Sequence, residues 1–215
     1  DIYDKRHIHC DVLIVGAGPS GLIAALTAAR SGARVILADE QAQFGGSLLS
    51  ASCTIGGTTA VDWVNKIVDE LRTFPEVKLL NRSTVIGYFD HNFLTINSRR
   101  THHLAPGDSD PRMSRERLWR VRAGEVVLAT GAIERPLVFD GNDLPGVMLA
   151  SAVTTYIRRY GVAPGRTGVV FTNNDSGYQA AIDMAWAGME VVAIVDARRA
   201  PGAPVVTEAE ALGIS

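Results

Sequence analysis

Short apolar runs alternate along this chain with stretches whose apolar residues recur every three or four positions, the pattern of strands buried in a sheet and of helices packed on it. Val12, Leu13, Ile14 and Val15 read as a buried parallel strand. A helix follows over residues 20–30, with Leu22, Ala25, Leu26 and Ala29 on one face and Gly32 at the left-handed cap position. Residues 35–38 form the next strand, which ends in Asp39 and Glu40. A second amphipathic helix over residues 58–73 carries Val61, Val64, Ile67, Val68 and Leu71 on one side, with Thr58 or Thr59 as its cap and Pro75 past its end. Trp63 is read as core.

The middle of the chain changes period. Residues 77–80 make a third parallel strand, and 84–89 and 93–96 flank Asp90, His91 and Asn92 as a hairpin. A polar loop over 97–117 leads to residues 118–122, which close a small antiparallel meander with Trp119 and Val121 on one face. Residues 125–128 are again apolar and run into Ala129, Thr130 and Gly131. Beyond a crossing linker at 141–145, a helix presents Val153, Tyr156, Ile157 and Tyr160 on one face and ends at Gly161. A second strand-helix-strand unit follows: strand 169–172, helix 180–186 closed by Gly188, and strand 191–195 running into Asp196.

The order predicts an α/β fold, a Rossmann-like dinucleotide-binding domain over residues 1–145 with its meander, then a linker helix and the start of a second, degenerate domain over 146–215. Between the first strand and helix lies Gly16-Ala17-Gly18-Pro19-Ser20-Gly21, a G-x-G-x-x-G turn. By itself this spacing is weak. Here the strand before it, the helix after it and an acid at the end of the next strand are all present. Gly16 allows the tight turn, Gly18 lets a pyrophosphate approach the backbone, Gly21 lets helix and strand pack, and Asp39 can accept both ribose hydroxyls. Packing alone rarely calls for three glycines at this spacing, because each carries a conformational cost. Gly45 and Gly46 stand where flavoproteins with two dinucleotide domains place a second turn against the cofactor, and Thr130 and Gly131 bring backbone close to the same ligand. The second unit repeats the architecture without the glycines. Aligned on Gly177, the first two glycine positions hold Thr172 and Asn174, whose side chains crowd a phosphate.

Composition narrows the picture further. A net charge of −2 argues against nucleic acid or an anionic membrane as main partner. Cys10 and Cys53 form no C-x-x-C motif, so they are expected as free thiols in a reducing compartment. The most apolar stretch, residues 12–29, is interrupted by Gly16, Gly18, Pro19, Ser20 and Gly21 and does not read as a membrane span, which leaves a cytoplasmic location. The start at Asp1 suggests a processed or excised piece. His7, His9 and Cys10 lie in a polar lead-in rather than a metal cluster, His102 and His103 in a solvated loop, and no His or Lys follows residues 129–131, so no catalytic residue and no metal site are assigned. Arginines 112, 115, 117, 120 and 122 read as an exposed basic edge, with contact to a partner subunit as the alternative.

Several longer stretches resemble one family: Phe44-Gly45-Gly46-Ser47-Leu48-Leu49, Tyr88-Phe89-Asp90-His91-Asn92-Phe93, residues 115–122, Ala129-Thr130-Gly131-Ala132-Ile133-Glu134-Arg135-Pro136 and residues 160–175. Together with the Gly-rich start they resemble the alpha subunits of heterotetrameric sarcosine oxidases over essentially the whole chain. The resemblance implies a fragment near the N-terminal end of a longer chain that works with beta, gamma and delta subunits. That family demethylates sarcosine oxidatively to glycine with oxygen, releases hydrogen peroxide and passes the one-carbon unit to tetrahydrofolate. The resemblance places FAD and FMN in the partner subunit or at its interface and NAD in the Gly-rich fold, with FAD as the alternative occupant of that site. Carried over by position, Gly16, Gly18, Ser20 and Gly21 hold the pyrophosphate, Asp39, Glu40 and Gln41 the adenosine ribose, Ser47 lies beside the phosphates, and Val85 meets the adenine through its backbone. Related amine dehydrogenase complexes, of the proline dehydrogenase or hydrogen cyanide synthase type, and self-sufficient FAD-dependent reductases are the competing readings. The last would need a redox partner that the single Cys53 does not supply.

Overall fold

A computed structural model describes residues 2–214 other than 106, 200, 201 and 203. The chain divides into two compact units, Asp1–Gly131 and Ala132–Ser215, so the division falls at residue 131, where the sequence reading sets it at 145.

The first unit is built on strands β1 (Tyr3–Val15), β2 (Val35–Ala38), β3 (Thr54–Ile55), β4 (Thr58–Thr59), β5 (Val77–Leu80), β6 (Ser83–Phe89), β7 (Phe93–Arg99) and β8 (Glu116–Leu128), with helices α1 (Pro19–Arg30) and α2 (Ala60–Thr73). Six of the strands form one sheet in the order β5-β2-β1-β8-β7-β6. The β5, β2, β1 and β8 neighbours run parallel, while β8, β7 and β6 are antiparallel, so the meander is continuous with the Rossmann sheet. One core lies between the sheet and the helices, with Ile14, Leu22, Ala25, Leu26, Leu37, Val64, Val68 and Leu71. The opposite face buries Leu13, Ile36, Leu94, Ile96 and Val121. The alternation of Leu13 and Ile14 between these cores follows from the two-residue period of a strand covered on both faces.

α2 starts where the Thr59 hydroxyl accepts the Asp62 amide, and it buries Ala60, Val64, Ile67, Val68 and Leu71. Val61, expected on that face, is 41% exposed; Ala60 takes the inward position at the start of the helix. The lead-in is not ragged. Residues 3–10 extend β1 and pair in parallel with residues 116–123, where Asp4 and Arg117 meet at 2.7 Å. That carboxyl is held below its usual range by the guanidinium it accepts from. A polar strand was missed because its side chains carry no apolar alternation; ladder hydrogen bonds and ion pairs hold it instead. The two expected strands at 118–122 and 125–128 are one, β8, and it lies between β1 and β7. The arginines of β8 therefore stand on the faces of a central strand rather than on an edge, Arg117 over Trp119 on one side and Arg120 and Arg122 on the other.

The second unit holds α3 (Ala150–Tyr160), β9 (Thr167–Thr172), α4 (Asp175–Trp186), β10 (Glu190–Asp196) and α5 (Pro204–Ala211). β9 and β10 are parallel. α3 ends on Gly161 at φ 65°, as its C-terminal glycine predicts. Val153 and Ile157 of α3 pack against Tyr178, Ala181, Ile182 and Met184 of α4, and Arg158 reaches the buried Asp183 at 2.6 Å. α4 begins five residues earlier than expected, because Asn174 caps it, and α5, with its buried Ala209, had no sequence expectation.

Candidate dinucleotide site

Each glycine of the first turn has a different physical reason. Gly16 sits at φ +97° with its amide bonded to the Ala38 carbonyl at 2.8 Å, and a Cβ there would run into the Ala129 carbonyl. Ala129 is brought there by its own bond to Val15, also 2.8 Å, so the Ala-Thr-Gly end of β8 lies against the turn. A Cβ on Gly21 would collide with the Gly16 carbonyl. Both are required by packing.

Gly18 is different. Its φ is −69°, open to any residue, and a Cβ built on it meets nothing within 4 Å. Among the described residues no contact explains a glycine here. The space in front of Gly18 faces the N-terminus of α1, which has no side-chain cap. Pro19 at the first helical position has no amide hydrogen, and Leu22 N–H is bonded to Gly18 O at 2.9 Å, which leaves the Ser20 and Gly21 amides as first-turn donors. Gly46, at φ +54°, closes on the other side, its Cβ position 2.9 Å from the Gly18 Cα. Gly45, at φ +131°, bonds through its amide to the Ala17 carbonyl at 2.8 Å and opens the 3-10 turn Gly46–Ser50, which exposes Ser47. These features fit a pyrophosphate: open space in front of Gly18, the Gly46 backbone packed close beside it, and unspent donors.

Asp39 is placed at the end of β2 as expected, but it is 9% exposed and its oxygens are engaged. Oδ2 accepts the Ala17 amide at 2.6 Å and Oδ1 accepts the Gln41 amide at 2.8 Å. The carboxylate thus ties the Gly-rich turn to the following loop, and only its remaining lone pairs are open to a ribose. Glu40 and Gln41 are exposed beside it. The Asp39 carbonyl accepts the Ser83 amide at 2.8 Å, which brings the start of β6 alongside, with Val85 two residues on and partly buried against the second core. Thr130 is exposed at the end of β8, and Gly131 stands at φ +71°.

Sequence reasoning missed Arg82 and Arg99. The Arg82 amide bonds the Gln41 carbonyl at 2.8 Å, and Arg99 Nη2 donates to the Glu40 carbonyl at 3.0 Å. With Ala42, His102 and His103 these residues line a cavity of about 510 Å³. No local signal reveals this, since the arginines come from corners of the meander. His102 is not simply solvated, because its Nε2 lies 3.0 Å from Glu116 Oε1.

The second turn is filled by its own side chains. Thr172 Oγ1 donates to the Asn174 carbonyl at 2.8 Å and accepts the Asn174 amide at 3.1 Å. Asn174 Oδ1 accepts the Ser176 amide at 3.0 Å and so caps α4. A Cβ on Gly177 would lie 2.5 Å from the Thr172 Cβ, so this glycine makes room for threonine. Asp196, the counterpart of Asp39, pairs with Arg198 at 2.8 Å and accepts the Tyr178 hydroxyl at 3.0 Å. The Arg198 guanidinium lowers the Asp196 carboxyl to about 2. Among the described residues no His, Cys, Asp or Glu group is arranged to hold a metal, and no helix is long and apolar enough to cross a membrane. Both cysteines are free; Cys10 is buried, and burial pushes its thiol up to about 11, while Cys53 is exposed.

The fold and this turn define the class: a Rossmann-like FAD-dependent oxidoreductase domain of the kind found in flavoproteins with two dinucleotide domains. A family model for FAD dependent oxidoreductases matches residues 11–93. The structure is similar to that of the L-proline dehydrogenase from P. horikoshii, with a TM-score of 0.70 and 26% identity, covering 93% of this chain and 38% of that one. Within this class the chain belongs to the sarcosine oxidase alpha-subunit family. It is 54% identical over 202 residues to the protein of Rhizobium meliloti (strain 1021), covering 94% of this chain and 20% of that protein. To the protein of Corynebacterium sp. (strain P-1) it is 51% identical over 212 residues, covering 98% and 21%. The chain thus spans about a fifth of the length of these relatives.

Proposed function

We propose that the cleft in front of Gly18, at the uncapped start of α1, binds an adenine dinucleotide, NAD, and that the chain is the nucleotide-binding part of a multisubunit sarcosine oxidase. The observation that carries this reading is Gly18: an unstrained glycine, free of packing need, facing open space at an uncapped helix start. The Ser20 and Gly21 amides hold the pyrophosphate with the α1 dipole behind them, and Gly16 and Pro19 shape the turn. Gly45, Gly46 and Ser47 wall the phosphates, and Thr130 and Gly131 close on the same ligand from the end of β8. Asp39 orients the turn through Ala17 and Gln41; with Glu40 and Gln41 it meets the adenosine ribose, and the Val85 backbone meets the adenine. Bound NAD or FAD supplies hydride chemistry; what this chain supplies is position and charge.

The match to a family of FAD dependent oxidoreductases favours a second reading, FAD in the same cleft. Denaturing the full-length protein and recording the absorbance and mass of the released small molecule separates the two. NAD gives a nucleotide mass without flavin absorbance, FAD gives absorbance near 450 nm, and release of neither sinks both.

Under the same reading the whole protein oxidises sarcosine to glycine with oxygen, forming hydrogen peroxide, and hands the one-carbon unit to tetrahydrofolate, in the cytoplasm. Its beta, gamma and delta partners complete it, with FAD and FMN in the partner subunit or at its interface. No His or Lys follows residues 129–131 in the sequence, and under this reading the chemistry belongs outside this segment. Expressed alone, the 215-residue chain should produce no sarcosine-dependent peroxide with or without added flavin; steady turnover would overturn this assignment.

A further inference from the structure

The parallel pair of β1 and β8 is much longer than its helical cover. Val12 and Ile14 of β1 belong to the core beneath α1 and α2, whereas Ile8 and Cys10 belong to the core on the other side. The facing therefore switches between Cys10 and Val12, where Gly124 allows the strands to close, its Cβ position being 2.8 Å from the Asp11 carbonyl. Before the switch, Lys5, His7 and His9 point to the side that the helices cover further on. Parallel strands are ordinarily buried on both faces, because the connections that make them parallel lie over them. Here half of the pair is bare on one.

The cations on that bare half are Lys5, Arg120 and Arg122, with His7 and His9 between them. Register sets His7 beside Arg120 and His9 beside Arg122, with Thr95 and Phe93 of β7 next in line. Lys5, His7, His9 and Arg122 are exposed, and Arg120 is half-buried. Arg122 lies over the Phe93 ring at 5.0 Å and donates to the His91 carbonyl at 3.1 Å, so it is held against the sheet rather than free in solvent. His7, Ile8, His9, Phe93, Arg120 and Arg122 line a shallow groove of about 460 Å³. The acids at the switch end are Asp11, committed to Arg34, exposed Glu125, and exposed Asp90, whose backbone carbonyl also accepts from Arg122 at 3.5 Å. Glu116 stands at the other end of the face, beside His102 and accepting from the Asn97 side-chain amide at 3.2 Å. In a chain with a net charge of −2, this ladder is a local excess of positive charge on an ordered surface.

We propose that this face docks an acidic segment of a partner subunit, whose carboxylates lie along Lys5, Arg120 and Arg122. The inference rests on the reading that the chain works as one subunit of an assembly. Protein carboxylate is favoured over nucleic acid because the remaining surface charge is negative overall, which opposes a polyanion that extends beyond the groove. Bidentate pairing with Arg120 and Arg122 also suits carboxylates spaced along an extended strand.

The lysines of the chain make the test direct: Lys5 is on this face, Lys66 on α2, and Lys78 stacks on Trp119 on the opposite side. The full-length protein is purified with its copurifying subunits and treated with a carbodiimide, which joins an amine to a carboxylate in contact with it. Peptide mass spectrometry should find Lys5 linked to an Asp or Glu of a different polypeptide, and the link should fall at least tenfold in an Arg120→Glu/Arg122→Glu variant whose nucleotide content is unchanged. Lys5 left unlinked, or linked only within its own full-length chain, overturns the docking proposal while leaving the subunit reading intact. Copurification of nucleic acid released by the same variant also overturns it. A full-length protein that purifies without any partner overturns both.

Discussion

The two strand-turn-helix units of this chain solve the same geometric problem in opposite ways. At the first, α1 starts without a side-chain cap, Gly18 leaves open space, and Asp39 spends its oxygens on the turn's own backbone. At the second, Asn174 caps α4, Thr172 fills the hollow under Gly177, and Asp196 pairs with Arg198 and accepts the Tyr178 hydroxyl. The second unit caps its helix start from within through Asn174 and fills its turn with Thr172. The first leaves its donors unspent, a cost that a bound anion offsets. The two units share an architecture and differ in which polar groups at the helix start are satisfied by the chain's own side chains.

The largest expected effect separates Gly21 of the first turn from Gly177 of the second. Gly21→Ala drives a methyl into the Gly16 backbone and should destabilise the first unit by about 3 kcal/mol or more, read as a fall in the urea midpoint. Gly177→Ala meets only the Thr172 side chain, so Thr172→Gly should recover roughly 1 kcal/mol of its cost in a double-mutant cycle. Additive effects would show that the hollow is not filled as described. Next, Asp39→Ala strands the Ala17 and Gln41 amides and should cost roughly 1–3 kcal/mol in chemical denaturation, with a comparable loss in nucleotide affinity. A loss of affinity without a loss of stability would assign the carboxylate to the ribose alone.

Gly18→Ala is the sharpest test of the open cradle. Its stability should change by no more than about 1 kcal/mol, while affinity for the dinucleotide in a calorimetric titration falls at least about tenfold, or 1.4 kcal/mol. Unchanged affinity would remove the reason for a glycine there. On the other side of the comparison, Asn174→Ala should cost about 1 kcal/mol of thermal stability and confer no nucleotide binding, because Thr172 still fills the turn.

The smallest effect is a pH dependence of the second unit. The Asp196 carboxyl is lowered from 3.8 to about 2, so its pairing with Arg198 is fully present above the unfolded pKa and is lost as the pH falls through the folded one. An NMR titration should show Asp196 ionised at pH 3.5 in the native protein. Arg198→Gln should bring its midpoint back toward the ordinary carboxylate range.

Apolar alternation and glycine spacing were enough to place β2, α1, α2, β5 and the β6–β7 hairpin within a few residues, because each announces itself by periodicity or a turn residue. The same reasoning lost residues 3–10 and split β8, since a strand held by Asp4–Arg117 and an exposed cationic face has no apolar period to read. It also mistook the β8 arginines for an edge. Edge or centre is a question of which strand lies next, and no local pattern records that.

The sequence by itself determined the candidate site's chemistry: a Gly-rich turn between strand and helix, an acid at the end of β2, and their absence in the second unit. These are local properties, set by steric freedom at single residues and by the strand and helix periods on either side. Only the tertiary structure decided that Gly16 and Gly21 are packing glycines while Gly18 is not, and that Asp39 is a clamp whose oxygens the backbone already holds. It alone brought Arg82 and Arg99 beside Glu40 and laid five basic residues along a bare sheet face. Each of these depends on what a distant segment places within contact distance, and that distance is set by the closure of the whole sheet rather than by any neighbour in the chain.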